Sequence, residues 1–592
     1  MGTYKIFTSV KNKVVQYNRK DLKKSNIINL AIVIVAIILI NILSSFIFTR
    51  IDLTSEKRYS LSESTKKMLK NLDEVVYFKV YLDGDFPSGF KRLQKETKEI
   101  LNEFRAYTDN IQYEFINPSE GRDKRELSEL YNQLVKKGLQ PTQLQNNTND
   151  GISTQVIFPG AIVTYKQREL PLQLLMNNIS VRSEDVLNNS IQALEYNIAS
   201  GIRKLSNMVK PKIAFIGGHG ELNDEQVYDI TRELKEFYQV DKVYLNEQIN
   251  SLRNIEYDSV SKKSSIWNKY KAIIIAKPDS AFTNKDKFII DQFVMRGGNV
   301  LWLVDPVFAC QDSLRATQES IGVINDLNLD DMFFKYGIRM NTNLLQDMNA
   351  VPIPVTVGQV GSKPQIQLIP WFYFPIITPI SNNPIVKNLN SIRTEFISGI
   401  DTVGSSSINK TILLSSSKYT KIVNAPAIIS LNILKKKPDK REFGISYVPV
   451  SVLCEGNFTS LFEGRFDSGP DSNKIIDFIE KCTKPAKMIF VSDGDIIKNQ
   501  FDKQGVLPLG YDKYSQITYG NKDFILNAVN YLCEDEGLLQ VRARDIKIRL
   551  IDKTKIIRNK FYWQMFNIVT PLILIIILGV IMMFIRKRKY TR

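Results

Sequence analysis

The chain has 592 residues, a formal net charge of +17, four cysteines and a single histidine. Seven basic residues and one acidic residue lie in 1–26 and five basic residues in 586–592, which leaves only +6 over the rest, so the charge forms no nucleic-acid-binding stripe. Cys310, Cys454, Cys482 and Cys533 show neither CxxC nor metal-ligand spacing, which argues against redox chemistry and structural zinc and leaves buried thiols or one or two disulfides open.

After a basic tail (1–26), the run IINLAIVIVAIILINILSSFIF from Ile27 to Phe48 is long enough to cross a hydrocarbon core of about 30 Å as a helix. A cleaved signal is the alternative. The run is longer than the usual signal core, has no small-x-small site, and carries no cysteine for lipidation. Residues 49–205 then read as a domain of thioredoxin-like proportions without the cysteine pair: strand VVYFKV, a helix with Phe90, Leu93, Ile100, Leu101 and Phe104 on one face, and strand IQYEFINP. The polar LQPTQLQNNTNDG reads as a mobile loop or hairpin tip and VIFPGAIVTY as a strand. Val186, Ile191, Leu194, Ile198 and Ile202 mark one linking helix.

Residues 206–345 alternate strands and helices. KIAFIGG, AIIIA and NVLWLV are buried-strand runs, and NDEQVYDITRELKEFY and NKDKFIIDQFVM are helices, with Asn223 and Gln226 as a capping box. This predicts a Rossmann-like, amidotransferase-like parallel sheet. The prolines and β-branched residues of 346–470 predict a β-rich insertion, with WFYFP in its core or on a binding surface. KIIDFIEKC, MIFVSDGDII and NKDFILNAVNYL restore the α/β pattern over 471–540. A stalk (541–565), a second apolar run (566–585) with its proline in the first turn, and a basic tail (586–592) complete an α/β protein with one transmembrane helix at each end. Basic residues flanking both runs place both termini in the cytoplasm and the large domain outside it.

Parallel strands present their C-terminal ends at one edge, where ligands bind. Gly217, Gly218, His219, Gly220, Glu221, Asp279 and Asp305 follow predicted strands and form the candidate ligand site, with Asp493 and Asp495 joining if their strand enters the same sheet. The glycines would turn the backbone sharply and leave N–H groups for an anion at the start of the next helix, with Glu221 or Asp305 paired to His219. The plainer reading is that strand-end aspartates cap turns. Catalysis is not expected, because no G-x-S-x-G or cysteine nucleophile accompanies the histidine and Ser280 is the only hydroxyl nearby. A zinc site would lack histidines, and neither GxGxxG nor GxxxxGK[ST] occurs. No metal or cofactor is expected.

YLDGDFPSGFKRLQKETKEIL, ALEYNIASGIRKL, IAFIGGHGEL, GGNVLWLVDPV, WFYFPIITPISNNPIVKNL, ISGIDTV, CEGNFTSLFEGRF and PLGYDKY, in that order and with the terminal RKRKY, resemble the GldG family of gliding-motility-associated ABC-transporter auxiliary components. The resemblance implies a substrate-binding auxiliary of the inner membrane that works with a separate permease and ATPase, with no established catalytic residue. Asn383 stands where the family pattern leads one to expect histidine, which weakens any site relying on that position. Two other functions stay open: a structural bridge from the inner membrane to a motility or secretion complex, and a His219-dependent extracytoplasmic hydrolase.

Overall fold

The computed structural model describes residues 19–46, 60–121, 123–148, 151–175, 183–206, 210–258, 263–309, 317–360, 363–404, 407–435, 438–464, 478–533 and 558–590, with residues 311 and 314. Two compact units are distinguished, Met1–Ser60 and Leu61–Arg592. Among its described residues the first contains one helix, Arg19–Phe46, which carries the N-terminal apolar run as far as it is described; the side chains described from Ile27 to Leu39 are exposed.

The second unit opens with a four-stranded sheet. Strands β1 (Val76–Val80), β2 (Ile111–Phe115), β3 (Gly160–Tyr165) and β4 (Arg168–Gln173) lie in the order β2-β1-β3-β4, with β1 and β2 parallel and the other pairs antiparallel. Val76, Phe78 and Val80 alternate inward, as a pleated strand requires, onto Leu93, Leu101 and Phe104 of the helix Ser88–Tyr107. Two features differ from the sequence reading. VIFPGAIVTY divides at Pro159, its first part pairing with Thr142–Thr148 in a hairpin and its second forming β3. The linking helix breaks at Ala193 into Ser183–Gln192 and Leu194–Ser206.

The main sheet has seven strands: β5 (Lys212–Gly217), β6 (Gln239–Tyr244), β7 (Ala272–Ala276), β8 (Asn299–Leu303), β9 (Asn409–Ser415), β10 (Pro449–Gly456) and β11 (Ala486–Val491). Their order is β9-β10-β11-β8-β7-β5-β6, and β6, β5, β7, β8 and β11 are mutually parallel. The parallel strands are continuous apolar runs because both faces are covered. Ile213, Phe215, Ile274 and Leu301 face the helices Tyr228–Phe237 and Asn521–Cys533, while Ala214, Ile216, Ile273 and Val300 face the helix Asn284–Met295. The chain leaves β5 toward β6 on one side and then returns to place β7 on the other. The gap between β5 and β7 is therefore where the crossovers diverge, the position where such sheets open a crevice.

The β-rich segment does more than interrupt this sheet, since β9 and β10 add its antiparallel edge. Its longest feature is the hairpin Ala350–Val360/Lys363–Ile377. Proline is tolerated at Pro352 and Pro354 because Ala350–Val360 is an edge strand, and at Pro364 and Pro370 because Lys363–Ile377 gains its second partner, Ile392–Arg393, only at Ile376 and Ile377. Trp371, Tyr373 and Phe374 of WFYFP are buried, so the cluster is core. Residues 478–482 of KIIDFIEKC are not helical, and residues 474–477, like Cys310 and residues 541–557 of the stalk, lie outside the described residues.

The C-terminal helix runs from Lys560 to Tyr590, longer at both ends than the predicted span. FYWQM continues the helix upstream, so Pro571 falls inside it and not in its first turn. It is the one described helix long and apolar enough to cross a membrane, over Lys560–Arg588.

Candidate functional site

His219 sits in the turn after β5, between Gly218 and Gly220, whose φ angles of 115° and 73° only glycine adopts without strain. A Cβ on Gly220 would stand 1.5 Å from Asp279 Oδ1, so the turn lies directly against the loop that follows β7. The two loops are sewn together: Asp279 N–H and Ser280 N–H donate to the His219 carbonyl at 2.9 and 3.1 Å, and Leu222 N–H to the Ala276 carbonyl at 3.0 Å. Gly217 ends β5 beneath the Tyr244 ring, where a Cβ would come within 3.0 Å.

The imidazole is sealed. His219 is 5% exposed and stacks on Phe282 with ring centroids 3.7 Å apart. Nδ1 lies 3.2 Å from Glu221 Oε1 and Nε2 lies 3.2 Å from Asp286 Oδ2. Burial opposes the charged ring, but the two carboxylates outweigh it and raise the His219 pKa. Glu221 Oε2 also accepts the His219 N–H at 2.7 Å, so the N–H expected to await an anion already holds a carboxylate of the chain itself. Asn223 and Gln226 exchange the expected reciprocal bonds, each 2.9 Å, in the turn leading to the helix that begins at Tyr228.

Of the two predicted partners, Glu221 is correct and Asp305 is not; Asp286 takes the second place. Asp286 follows Thr283, whose hydroxyl accepts its N–H at 3.2 Å, and the pattern Thr-x-x-Asp reads as a helix cap, so its second role left no separate signal. Asp279 is exposed and accepts from Ser280 Oγ at 2.7 Å.

Asp305 belongs to a second cluster on the same sheet edge. Lys277, directly after β7, places Nζ 3.2 Å from Asp305 Oδ2 and in contact with Asp495, which also lies 3.2 Å from Lys498 Nζ. Asp493 is fully buried, and its two oxygens accept the N–H groups of Glu395 (2.9 Å) and Asp495 (2.8 Å). Burial works against charge on both Asp305 and Asp495. Asp495, between two ammonium groups, is nevertheless held below the usual carboxylate range, whereas Asp305, with one ammonium and a like charge beside it, is pushed up to about 6. Asp493, buried and facing Asp305 and Asp495, is raised well above its ordinary value. For Lys277 burial favours the neutral amine, but Asp305 and Asp495 raise its pKa on balance. Asp493 and Asp495 were legible as strand-end residues, whereas Lys277 carried no motif.

No activated nucleophile stands beside either cluster among the described residues. Burial pushes the Cys454 thiol up to about 12 and the Cys482 thiol up to about 11, so neither is poised as a nucleophile. Asn383 caps its own turn, its side chain accepting the Ile385 N–H at 3.0 Å.

A parallel-centred α/β sheet with a charge-filled C-terminal edge and one membrane-length helix among the described residues defines a membrane-associated α/β protein. The chain belongs to the ABC-type uncharacterized transport system auxiliary family, whose profile matches residues 210–528, more than half of its length. Residues 55–164 match a domain of unknown function, DUF7088. An uncharacterized protein of Borreliella burgdorferi is 21% identical over 579 residues, covering 96% of this chain and 99% of the relative. Among solved structures, an mmIFT52 N-terminal domain (12% identity, TM-score 0.28) covers 54% of this chain and is itself covered to 96%. A ThuA-like protein from Parabacteroides merdae (13% identity, TM-score 0.24) covers 55% and is covered to 90%.

Proposed function

We propose that this chain is a non-catalytic auxiliary subunit of an ABC transporter, anchored in the inner membrane by an apolar helix near each end, with both termini cytoplasmic and a periplasmic ectodomain that binds a ligand or a partner. One observation carries the non-catalytic reading: both ring nitrogens of the sole histidine are engaged by buried carboxylates, which leaves neither nitrogen free to take a proton from a hydroxyl. Family membership supports the transporter association, and the lack of a P-loop in the sequence assigns ATP hydrolysis to a partner. Exposed Phe561, Tyr562 and Trp563 at one end of the C-terminal helix and Arg586–Lys589 at the other suit an interfacial aromatic belt and a cytoplasmic flank.

The finer reading, a GldG-type component serving gliding motility, rests on the ordered stretches quoted above. Likening the first module to thioredoxin and the main sheet to a Rossmann-like domain rests on strand order and on the helices that join the strands. Gly217, Gly218, Gly220, Asp279 and the exposed rim around them remain the proposed contact surface, with His219 and Glu221 as its rigid support. Purification of the tagged full chain in mild detergent is expected to recover a permease and an ATPase; a clean monomer would sink the proposal. The bridging alternative draws on the hairpin Ala350–Val360/Lys363–Ile377, whose outer half exposes Val357, Ile366 and Leu368.

A further inference from the structure

A cleft of about 810 Å³ separates the first module from the main sheet, within the size range of ligand sites and at the module junction where such sites form. The helix Leu194–Ser206 and β4 line one wall, and the helix Asn521–Cys533 lines the other. Side-chain amides from both walls line it, among them Asn189 and Asn197 on the first and Asn388, Asn527 and Asn530 on the second. Asn527 Nδ2 donates to the Ile385 carbonyl at 3.0 Å and Asn530 Oδ1 accepts from the Tyr238 hydroxyl at 2.7 Å. Each of those two amides is thus fixed in orientation with one polar atom left for a ligand.

Both lysines that line the cleft, beside Asp523, are already paired. Lys204 Nζ lies 3.3 Å from Glu236 and over the Phe237 ring at 3.9 Å, and Lys522 Nζ lies 2.7 Å from Asp229. An ionic ligand would have to break these pairs, so a neutral one is favoured. Leu170, Leu172, Leu175 and Leu526 line the same cleft. A planar amide side chain offers one donor face and one acceptor, which matches a peptide unit, and the leucines offer contacts for aliphatic side chains. A saccharide covered in hydroxyls would leave those leucines without a counterpart.

We propose that the cleft binds an extended, uncharged peptide segment, its backbone held by the asparagine amides and its apolar side chains by the leucines. This rests on the ligand-or-partner half of the proposed function. The test is selection of random displayed heptapeptides on the full chain in detergent, with counter-selection on Ser200→Trp, which places a ring in the cleft from the helix Leu194–Ser206. Enriched sequences, synthesised with blocked termini, are then titrated by fluorescence anisotropy. Uncharged peptides with recurrent apolar positions are expected, with affinity falling about tenfold or more in Asn197→Ala/Asn388→Ala. Should Ser200→Trp fail to fold, selection without it and the asparagine variant decide alone. No enrichment, enrichment of charged peptides, equal affinity for the asparagine variant, or maltoheptaose binding in place of peptide would each overturn the proposal. Co-purification of permease and ATPase is read separately, so its success beside a failed peptide selection removes the cleft assignment and leaves the auxiliary role standing.

Discussion

At the residue scale, His219 joins the Gly217–Glu221 turn to the start of the helix Asn284–Met295, and two buried carboxylates depend on it. Replacing it with alanine removes two charge-assisted bonds and the stack on Phe282, so a loss of about 3 kcal/mol is expected in denaturant unfolding. Because the folded state raises the ring's pKa, this contribution is complete below the ordinary imidazole value of 6.5 and fades as pH climbs through the higher folded value. The stability gap between wild type and His219→Ala should therefore be widest near pH 5 to 6 and narrow on the alkaline side; a gap that widens with pH would refute the assignment. Lys277→Met strips the ammonium from Asp305 and should cost about 3–5 kcal/mol, partly regained in Lys277→Met/Asp305→Asn because the orphaned charge is then gone. Asp305, raised to about 6 in the fold, stabilises most below its ordinary value of 3.8 and loses that contribution as pH rises through 6. Asp305→Asn should flatten the wild-type decline over that interval in the same measurement.

At the scale of elements, legibility followed burial. β5, β7, β8 and β11 were readable because a strand covered on both faces must be apolar throughout, and the helix Ser88–Tyr107 because its stripe repeats every three to four residues. The edge strands β9 and β10 were not readable as members of the main sheet. Their alternation says only that a strand exists, while pairing is chosen by tertiary contacts outside the local window that alternation reports. The same limit hid Asp286 and Lys277, whose partners lie across loops. The hairpin Ala350–Val360/Lys363–Ile377 yields a prediction of this scale. Its base packs Val351, Trp371 and Phe374 into the core, whereas residues 356–368 expose Val357, Ile366 and Leu368. Replacing 356–368 by a two-residue turn should leave the melting temperature within about 2 °C of wild type, since little apolar area leaves a core. A large drop would show the arm to be structural.

For the whole molecule, the proposed orientation is tested by a reporter active only outside the cytoplasm. It should work when inserted after Thr148, in the hairpin formed with Gly151–Ile157, and fail when fused after Arg592. Equal activity at both sites would reverse the ectodomain assignment.

The main sheet also sets a timetable. The buried Asp229, near the start of the helix after β5, is pinned by the N–H of Leu509 at 2.8 Å and by Lys522, and Asn299 at the start of β8 reaches the Leu532 carbonyl at 2.7 Å. The helix Asn521–Cys533 covers a face of strands made some 300 residues earlier. At about 5–20 residues per second of synthesis, β5 and β7 must wait roughly 15–60 s for that cover. During that interval their apolar face is open to other nascent chains, so this polypeptide should depend on holdase chaperones far more than its finished stability would suggest.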